Sequence, residues 1–102
     1  MSAQETYLRA ILATIARQTF TPQEIASHVL KNGGERQVTA YNLCEGRLTQ
    51  GEIAKEVGLD SGNFSKTIGR WVDAGIVIRI VDGKNITPVH VYPLDKSFAK
   101  KG

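Results

Sequence analysis

The sequence has few of the residues that metal sites and catalytic sites require. Its 102 residues include one cysteine, Cys44, and two histidines, His28 and His90. A lone cysteine cannot form an internal disulfide, and these three side chains lack the Cys/His spacing of a zinc site. No carboxylate, cysteine or second histidine stands at ligand or triad spacing from His90. We therefore expect no metal, no cofactor and no enzyme activity, with Cys44 a small core residue and His90 in a packing or exposed role.

A long apolar run, a secretion signal and a phosphate-binding loop are absent as well. No run approaches the roughly 20 apolar residues that cross a bilayer. Met1 to Glu5 lack the basic start and apolar stretch of a signal peptide. Gly33-Gly34 is not followed by the Gly-Lys-Ser/Thr of a phosphate loop, and Gly83-Lys84 lacks the glycine that would precede it. The sequence therefore predicts a soluble, cytoplasmic protein without a membrane partner.

The chain also lacks a strong excess of charge, and its net charge of +3 does not by itself indicate a nucleic-acid partner. The positions of the cations are more informative. Lys66, Arg70, Arg79 and Lys84 fall close together in the second half of the chain. This clustering indicates a binding surface in that half. A further group of lysines lies near the end of the chain, at Lys96, Lys100 and Lys101.

Residues 49–75 have the pattern of two short helices joined by a tight turn. Thr49 and Glu52 have the spacing of a capping box, in which each side chain accepts a hydrogen bond from the other residue's backbone. Gly58 comes where the chain needs a left-handed residue to leave the first helix. A short helix followed at once by a second one is the arrangement of a helix-turn-helix.

The second helix is predicted over residues 61–74, capped by Asp60 or Ser61 and stopped by Gly75. Its opposite faces differ in character, because one is apolar and aromatic while the other has no apolar side chain larger than glycine. A helix of this kind, with short polar residues at its start, suits the major groove of DNA. The inner face comprises Phe64, Ile68, Trp71 and Val72. The outward face comprises Gly62, Lys66, Gly69, Arg70 and Asp73, with Asn63 and Ser65 on its flanks.

Residues 76–93 have the pattern of a β-hairpin. Ile76 to Val81 are mostly β-branched, Asp82-Gly83 is a turn signal, and Val89 to Tyr92 are predicted to return as the second strand. Because side chains alternate along a strand, Arg79 is expected on the face opposite the isoleucines.

Three supporting helices are predicted before the helix-turn-helix, within residues 1–46. The first runs from Glu5 to Gln18, the second starts at a capping box on Thr21 and ends at Gly33-Gly34, and the third covers Arg36 to Cys44. The first helix has an apolar stripe. Packing of that stripe into the core is the expected role, and a contact between two copies of the chain is the alternative. The stripe comprises Tyr7, Leu8, Ile11, Leu12 and Ile15.

The order of these motifs resembles the MarR-like winged-helix transcription regulators, over the segment from Thr49 to Tyr92. The resemblance implies that the second helix enters DNA, that the hairpin is a wing, and that the chain acts as a homodimer in transcription regulation. The first half of the chain matches nothing as closely. The motifs that carry the resemblance are Gln50–Ala54, Gly58–Asp60, Asn63–Ile68 and Asp73–Val77.

We therefore predict one α+β domain, a small winged helix-turn-helix that is mostly α-helical with a C-terminal two-stranded β-hairpin wing. Its parts are support helices with the candidate dimer contact at 1–46, the helix-turn-helix at 47–75, the wing at 76–93 and a basic tail at 94–102. The predicted function is sequence-specific binding of double-stranded DNA as a transcription regulator.

The predicted DNA contacts fall into three groups. The recognition helix offers base-edge or phosphate contacts, and its glycines allow close approach of the backbone. The start of the first helix and the wing offer contacts to phosphates or the minor groove. The recognition-helix group is Ser61, Gly62, Asn63, Ser65, Lys66 and Arg70, with Gly69. The helix-start group is Thr49 and Gln50, and the wing group is Arg79, Lys84 and Asn85.

Two alternatives stay open at the level of sequence. A winged helix can dock proteins within a transcription, replication or RNA-handling complex without touching DNA. Such a module is expected to carry exposed aromatic or aliphatic anchors around Lys66 and Arg70, and none is present in the sequence there. A pocket for a small-molecule effector between the first helix and the helix-turn-helix is the other alternative, although no polar cluster indicates one.

Overall fold

The computed structural model of the chain describes residues 3–31 and 33–98. Within these residues the fold is α+β, with five α-helices followed by a two-stranded antiparallel hairpin and a short 3-10 helix. This confirms the predicted class and the C-terminal hairpin. No helix in the described residues is long and apolar enough to cross a membrane. The helices are α1 (Ala3–Thr19), α2 (Pro22–Val29), α3 (Glu35–Asn42), α4 (Gln50–Val57) and α5 (Ser61–Asp73), the strands are β1 (Val77–Asp82) and β2 (Asn85–His90), and the 3-10 helix is Lys96–Phe98.

Both predicted capping boxes are present. The Thr21 hydroxyl accepts a hydrogen bond from the Glu24 amide at 3.1 Å, and the Glu24 carboxylate accepts one from the Thr21 amide at 2.7 Å. The same pair of bonds joins Thr49 and Glu52 at 3.2 and 2.8 Å. Each box satisfies amides that a helix start otherwise leaves without a partner. The start of α2 and the start of α4 are therefore each specified by two residues that are three positions apart in the sequence.

The turn between α4 and α5 also follows the prediction. Gly58 has a φ of 79°, in the left-handed region that favours glycine at a helix end. Of the two candidate caps it is Asp60 that caps α5, because its carboxylate accepts a hydrogen bond from the Asn63 amide at 2.9 Å. The prediction for the helix itself is accurate to one residue at its C-terminal end.

The core lies beneath α5, and its largest side chain is that of Trp71, which is 1% exposed. The Trp71 ring meets the rings of Tyr41 and Phe64 edge-on, at centroid distances of 5.6 and 5.9 Å. Edge-to-face pairs of this kind each contribute about 0.5–1.5 kcal/mol beyond the burial of area. Cys44 is fully buried, as predicted. These contacts hold the inner face of α5 against α3.

The second strand is longer than predicted and begins earlier. The strand predicted over Val89 to Tyr92 is confirmed at Val89 and His90, but its bounds are wrong, because a two-residue turn at Gly83-Lys84 places Asp82 opposite Asn85 and pairing starts at once. Gly83 has a φ of 62°, which a two-residue hairpin turn needs at its first position. Pro88 lies inside β2 opposite Arg79. By the alternation of antiparallel bonding its nitrogen faces away from β1, so proline removes no bond from the ladder.

The far side of β2 contacts the segment that follows α3. The His90 amide donates to the Cys44 carbonyl at 2.7 Å, and the Gly46 amide donates to the Pro88 carbonyl at 3.2 Å. His90 itself is 2% exposed, so the packing role predicted for it is confirmed and the exposed role is wrong. The hairpin is thereby attached to the helical part of the domain along one edge.

Helix α1 differs most from the prediction. Four residues of its apolar stripe are exposed, at 69% for Tyr7, 65% for Leu8, 56% for Ile11 and 57% for Ile15. The expectation that the stripe packs into the core is therefore wrong for these four. The side that does pack carries Leu12, Ala13 and Ala16, together with two arginines that reach the rest of the chain. Arg9 donates to the Glu45 carbonyl, and the Arg17 guanidinium lies 4.2 Å from the centroid of the Tyr92 ring.

The predicted tail at 94–102 is partly folded. Leu94 is buried, and the Asn42 side chain both donates to its carbonyl at 2.9 Å and accepts from its amide at 2.8 Å. Phe98 packs against the core and Lys96 lies in the 3-10 helix. The other two lysines of that prediction, Lys100 and Lys101, lie outside the described residues.

Candidate nucleic-acid interface

The outward face of α5 is exposed and basic. Gly62, Asn63, Lys66 and Arg70 are exposed, whereas the apolar residues of the same helix are directed into the core. Lys66 and Arg70 are four residues apart, so they project from the same side of the helix one turn from each other. Together these four residues form the α5 outward face, which carries hydrogen-bond donors and two cations.

Ser65 and Gln50, both predicted to contact DNA, contact each other. The Gln50 amide nitrogen donates to the Ser65 hydroxyl at 3.0 Å, and both side chains are half-buried. This bond joins the start of α4 to the first half of α5. The pair therefore connects the two helices, whatever else it contacts.

Thr49 is held within its own capping box. Its hydroxyl and its amide are both engaged with Glu52, whose carboxylate stands at the helix start. A phosphate approaching that point would meet a negative charge, so the predicted use of Thr49 as a phosphate contact is not favoured by the geometry.

Arg79 has an intramolecular role that was not predicted. Its guanidinium donates to the Ser65 carbonyl at 2.7 Å, and its two terminal nitrogens lie 3.8 and 3.9 Å from the point where a Cβ would stand on Gly69. The arginine thus bridges the hairpin to α5 and covers Gly69. Because Arg79 covers Gly69, the structure does not favour the close approach of the helix backbone to DNA that we expect there from the sequence.

The tip of the hairpin lies beside the start of α4. A cleft of about 250 Å³ is lined by Thr49, Gln50 and Gly51 on one side and by Lys84, Asn85 and Ile86 on the other. Lys84 and Asn85 are exposed. The predicted DNA-backbone contacts at the start of α4 and at the hairpin tip are far apart in the sequence. They line the same cleft and are therefore neighbours in the fold.

Gln37 of α3 also belongs to this surface, and no sequence pattern indicates it. It lines a polar cleft of about 360 Å³ together with Asn63, Lys66, Thr67 and Arg70. The Thr67 hydroxyl donates to the Asn63 carbonyl at 3.1 Å and accepts from the Arg70 guanidinium at 3.4 Å. A second cleft beside Arg70 is lined by His28 and Lys31 of the α2 region and by Asp73 of α5. The polar surface is thus wider than α5 alone.

The strongly perturbed groups lie in the core and not on this surface. Burial lowers the pKa of His90, whose Nδ1 is 2.9 Å from the Tyr41 carbonyl and whose ring stacks on that of Tyr41 at 5.2 Å. Burial also raises the pKa of the Cys44 thiol to about 12, which leaves it protonated and unreactive at neutral pH. Within the described residues no group of three or more His, Cys, Asp or Glu side chains could hold a metal ion.

Comparison of the chain with models of protein families, with curated proteins and with solved structures found no match in any of the three.

Proposed function

We propose that this chain binds double-stranded DNA as a winged helix-turn-helix, and that it regulates transcription in the way of the MarR-like proteins it resembles. Helix α5 enters the major groove and the hairpin lies beside it as the wing. The observation that carries the proposal is the α5 outward face, where Lys66 and Arg70 stand one turn apart beside exposed Asn63 and Gly62.

The dimensions of α5 fit a groove. A helix with its side chains is about 10–12 Å across, and the major groove of B-form DNA is about 12 Å wide and 8.5 Å deep. Ser61 and Gly62 are small and exposed at the first turn, so the start of the helix is its narrowest part. The start of α5 is therefore the part that can go deepest.

The side chains of this face have the donors that base edges accept. Arginine and lysine pair with guanine and asparagine pairs with adenine, each good pair contributing about 1–3 kcal/mol of discrimination. Asn63, Lys66 and Arg70 are the candidates for these contacts, and Gln37 stands across the adjoining cleft. Lys84 and Asn85 at the hairpin tip are the candidates for the flanking phosphates.

The contacts inside the protein support the same assignment. The Gln50–Ser65 and Arg79–Ser65 hydrogen bonds connect α4, the hairpin and α5 at one residue. A reading helix that is held from two sides loses less conformational freedom on binding. Ser65 is thus better described as the junction of the three elements than as a base contact.

Protein docking at this face is less well supported. Its anchors would be exposed aromatic or aliphatic side chains. The large apolar side chains that are exposed in the described residues lie on α1 and β1, not on the α5 outward face.

The proposal is tested by replacing Lys66 and Arg70 together with alanine and titrating a fluorescent duplex. A matched control is Lys55→Ala with Lys96→Ala, which removes the same charge from exposed positions of α4 and the 3-10 helix, outside the α5 outward face. We expect the first variant to stay folded and to bind at least about tenfold more weakly, since each lost contact is worth about 1–3 kcal/mol. The control is expected to bind like the parent. When the parent protein is used to select from a pool of random duplexes, one DNA sequence should be enriched.

Equal duplex binding by the two double variants would show that α5 is not the recognition helix. A parent chain that binds no duplex at low salt would overturn the proposal as a whole.

A further inference from the structure

Asn63 is the first residue of α5 whose side chain is long enough to reach a base. It is the third residue of the helix and it is exposed. The two residues before it are exposed as well, but Ser61 carries only a hydroxyl group and Gly62 has no side chain. A recognition helix contacts base edges with the residues near its N-terminus. The start of α5 therefore presents one longer polar side chain to a groove, and that side chain is Asn63.

The Asn63 backbone is held while its side chain is free. The backbone amide donates to the Asp60 carboxylate at 2.9 Å, and the backbone carbonyl accepts from the Thr67 hydroxyl at 3.1 Å. Within residues 3–31 and 33–98, the side-chain amide of Asn63 has no hydrogen-bond partner. A side chain on a fixed backbone loses less conformational freedom on binding. Asn63 is thus prepared for a partner outside the chain.

Two other amide side chains lie beside α5, and both are less accessible than that of Asn63. Gln37 lines the polar cleft together with Asn63, and Gln50 donates to Ser65. The side-chain carbonyl oxygens of Gln37 and Gln50 are buried. A buried oxygen cannot accept a hydrogen bond from a base. Among these three amides, Asn63 is therefore the one available for base contact.

An amide can distinguish adenine from guanine in a way that a cation cannot. Its nitrogen donates and its oxygen accepts, which matches the N7 acceptor and the N6 amino donor on the major-groove edge of adenine. Guanine presents two acceptors at that edge, so one of them would face the Asn63 oxygen. Lysine and arginine only donate, and they bind phosphates as well as guanine. Sequence preference is therefore expected from Asn63 more than from Lys66 or Arg70.

The spacing along α5 places the two cations behind Asn63. At about 1.5 Å per residue, Lys66 lies about 4.5 Å and Arg70 about 10.5 Å further along the helix axis. The major groove is about 8.5 Å deep. For a helix that enters by its N-terminal end, the Arg70 backbone is then at the level of the phosphates when Asn63 is at the groove floor. Phosphates are present in every sequence, so a cation at that level supplies affinity without specificity.

We propose that Asn63 determines the sequence specificity of this chain by pairing with one adenine in the major groove, while Lys66 and Arg70 supply affinity through phosphates. The proposal rests on the DNA binding proposed above and assigns its specificity to a single side chain. It also names the feature that the target must have, which is an adenine whose N6 and N7 are open to the groove.

The experiment combines base analogues with protein variants. The duplex carries the sequence enriched by the parent protein, and each adenine in turn is replaced by 7-deaza-adenine, which lacks the N7 acceptor and still pairs with thymine. We expect one position at which the analogue weakens binding by the parent at least about fivefold. Asn63→Ala should bind the unmodified duplex more weakly and should show no further loss with the analogue at that position. N6-methyladenine there, whose methyl group replaces the groove-facing hydrogen, should give the same pattern.

Lys66→Ala is the matched control, because Lys66 is exposed on the same face about one turn from Asn63. It should bind every duplex more weakly but keep the full loss with the analogue. The salt dependence of binding separates the two variants again. Its slope should be unchanged in Asn63→Ala, which loses no charge, and smaller in Lys66→Ala. Fluorescence of Trp71, the single tryptophan, reports whether each variant keeps its core.

Three results would overturn this proposal and leave DNA binding standing. They are a parent protein without sequence preference or without a sensitive adenine, equal loss with the analogue in Asn63→Ala and in the parent, and loss of the adenine preference in Lys66→Ala but not in Asn63→Ala. A parent protein that binds no duplex at low salt would overturn both proposals, and this would be seen before any analogue is used.

Discussion

Replacing Gly69 with alanine should stabilise the protein and leave its affinity for DNA unchanged. Glycine inside a helix is about 0.5–1 kcal/mol less stable than alanine. The added Cβ would lie 3.8 and 3.9 Å from the two terminal nitrogens of Arg79, which is ordinary van der Waals contact. Nothing in the structure opposes the substitution, so the whole gain should be observed. For a domain of this size it corresponds to a rise of about 2–8 °C in Tm.

The affinity for DNA should not change, because the Arg79 side chain already covers Gly69 on the side of α5 that faces the hairpin. Thermal unfolding followed by circular dichroism gives the stability, and a duplex titration gives the affinity. A lower Tm would show that the guanidinium does not leave room for a methyl group. Weaker binding with a higher Tm would show that DNA reaches the helix backbone at Gly69.

Gly62→Ala is the matched comparison. There the Cβ would stand 3.3 Å from the Asp60 carboxylate oxygen that caps α5, so the cap has to shift. A cap of this kind contributes about 0.5–2 kcal/mol to stability, and weakening it loses part of that. The net gain in stability from Gly62→Ala should therefore be smaller than that from Gly69→Ala. Since Gly62 lies on the α5 outward face, its replacement should also weaken duplex binding. An unchanged affinity in both variants would argue that α5 does not enter the groove closely.

Trp71→Ala should lower the free energy of unfolding by about 3–5 kcal/mol, because it empties the space between Tyr41 and Phe64; a urea-unfolding loss under about 1 kcal/mol would contradict the described core. Burial lowers the pKa of His90 from its ordinary value of 6.5. As the pH falls, the unfolded chain therefore binds a proton at His90 that the folded chain does not bind. The stabilisation due to neutral His90 is complete above pH 6.5 and is lost as the pH falls from there towards the lowered folded pKa. His90→Gln should flatten this part of the stability profile relative to the parent; a slope equal to that of the parent would show that His90 is not buried neutral.

The elements that could be predicted from the sequence are those whose cause lies within a few residues. The capping boxes at Thr21 and Thr49 and the left-handed exit at Gly58 are each specified by a short stretch of chain. The hairpin position follows from Asp82-Gly83 for the same reason. The early start of β2 cannot be predicted from the local pattern, because it depends on the Pro88 nitrogen facing away from β1.

The rest depends on contacts between distant residues. An apolar stripe predicts that one side of α1 is covered, but it does not indicate whether the chain's own core or a partner would cover it. The side of α1 that packs on the chain carries Arg9 and Arg17, which contact Glu45 after α3 and Tyr92 after β2. The bridge from Arg79 to Ser65 and the place of Gln37 beside α5 likewise have no signature in the local pattern.

The salt dependence of binding to a random duplex tests the central claim most directly, since each phosphate neutralised by the protein releases counterions. Lys66, Arg70 and Lys84 give three cations per chain, and a dimer would neutralise about six phosphates, so the logarithm of the binding constant should fall with that of salt at a slope near −5. The tail is controlled for by using Lys100→Gln with Lys101→Gln as the background.

In a dimer of the Lys66→Ala, Arg70→Ala variant only the two Lys84 side chains would remain, and the slope should shrink to about −2. The Lys55→Ala, Lys96→Ala control should keep the slope of the parent. The same slope in all three proteins, or no salt-sensitive association of the parent at low ionic strength, would contradict DNA binding by α5.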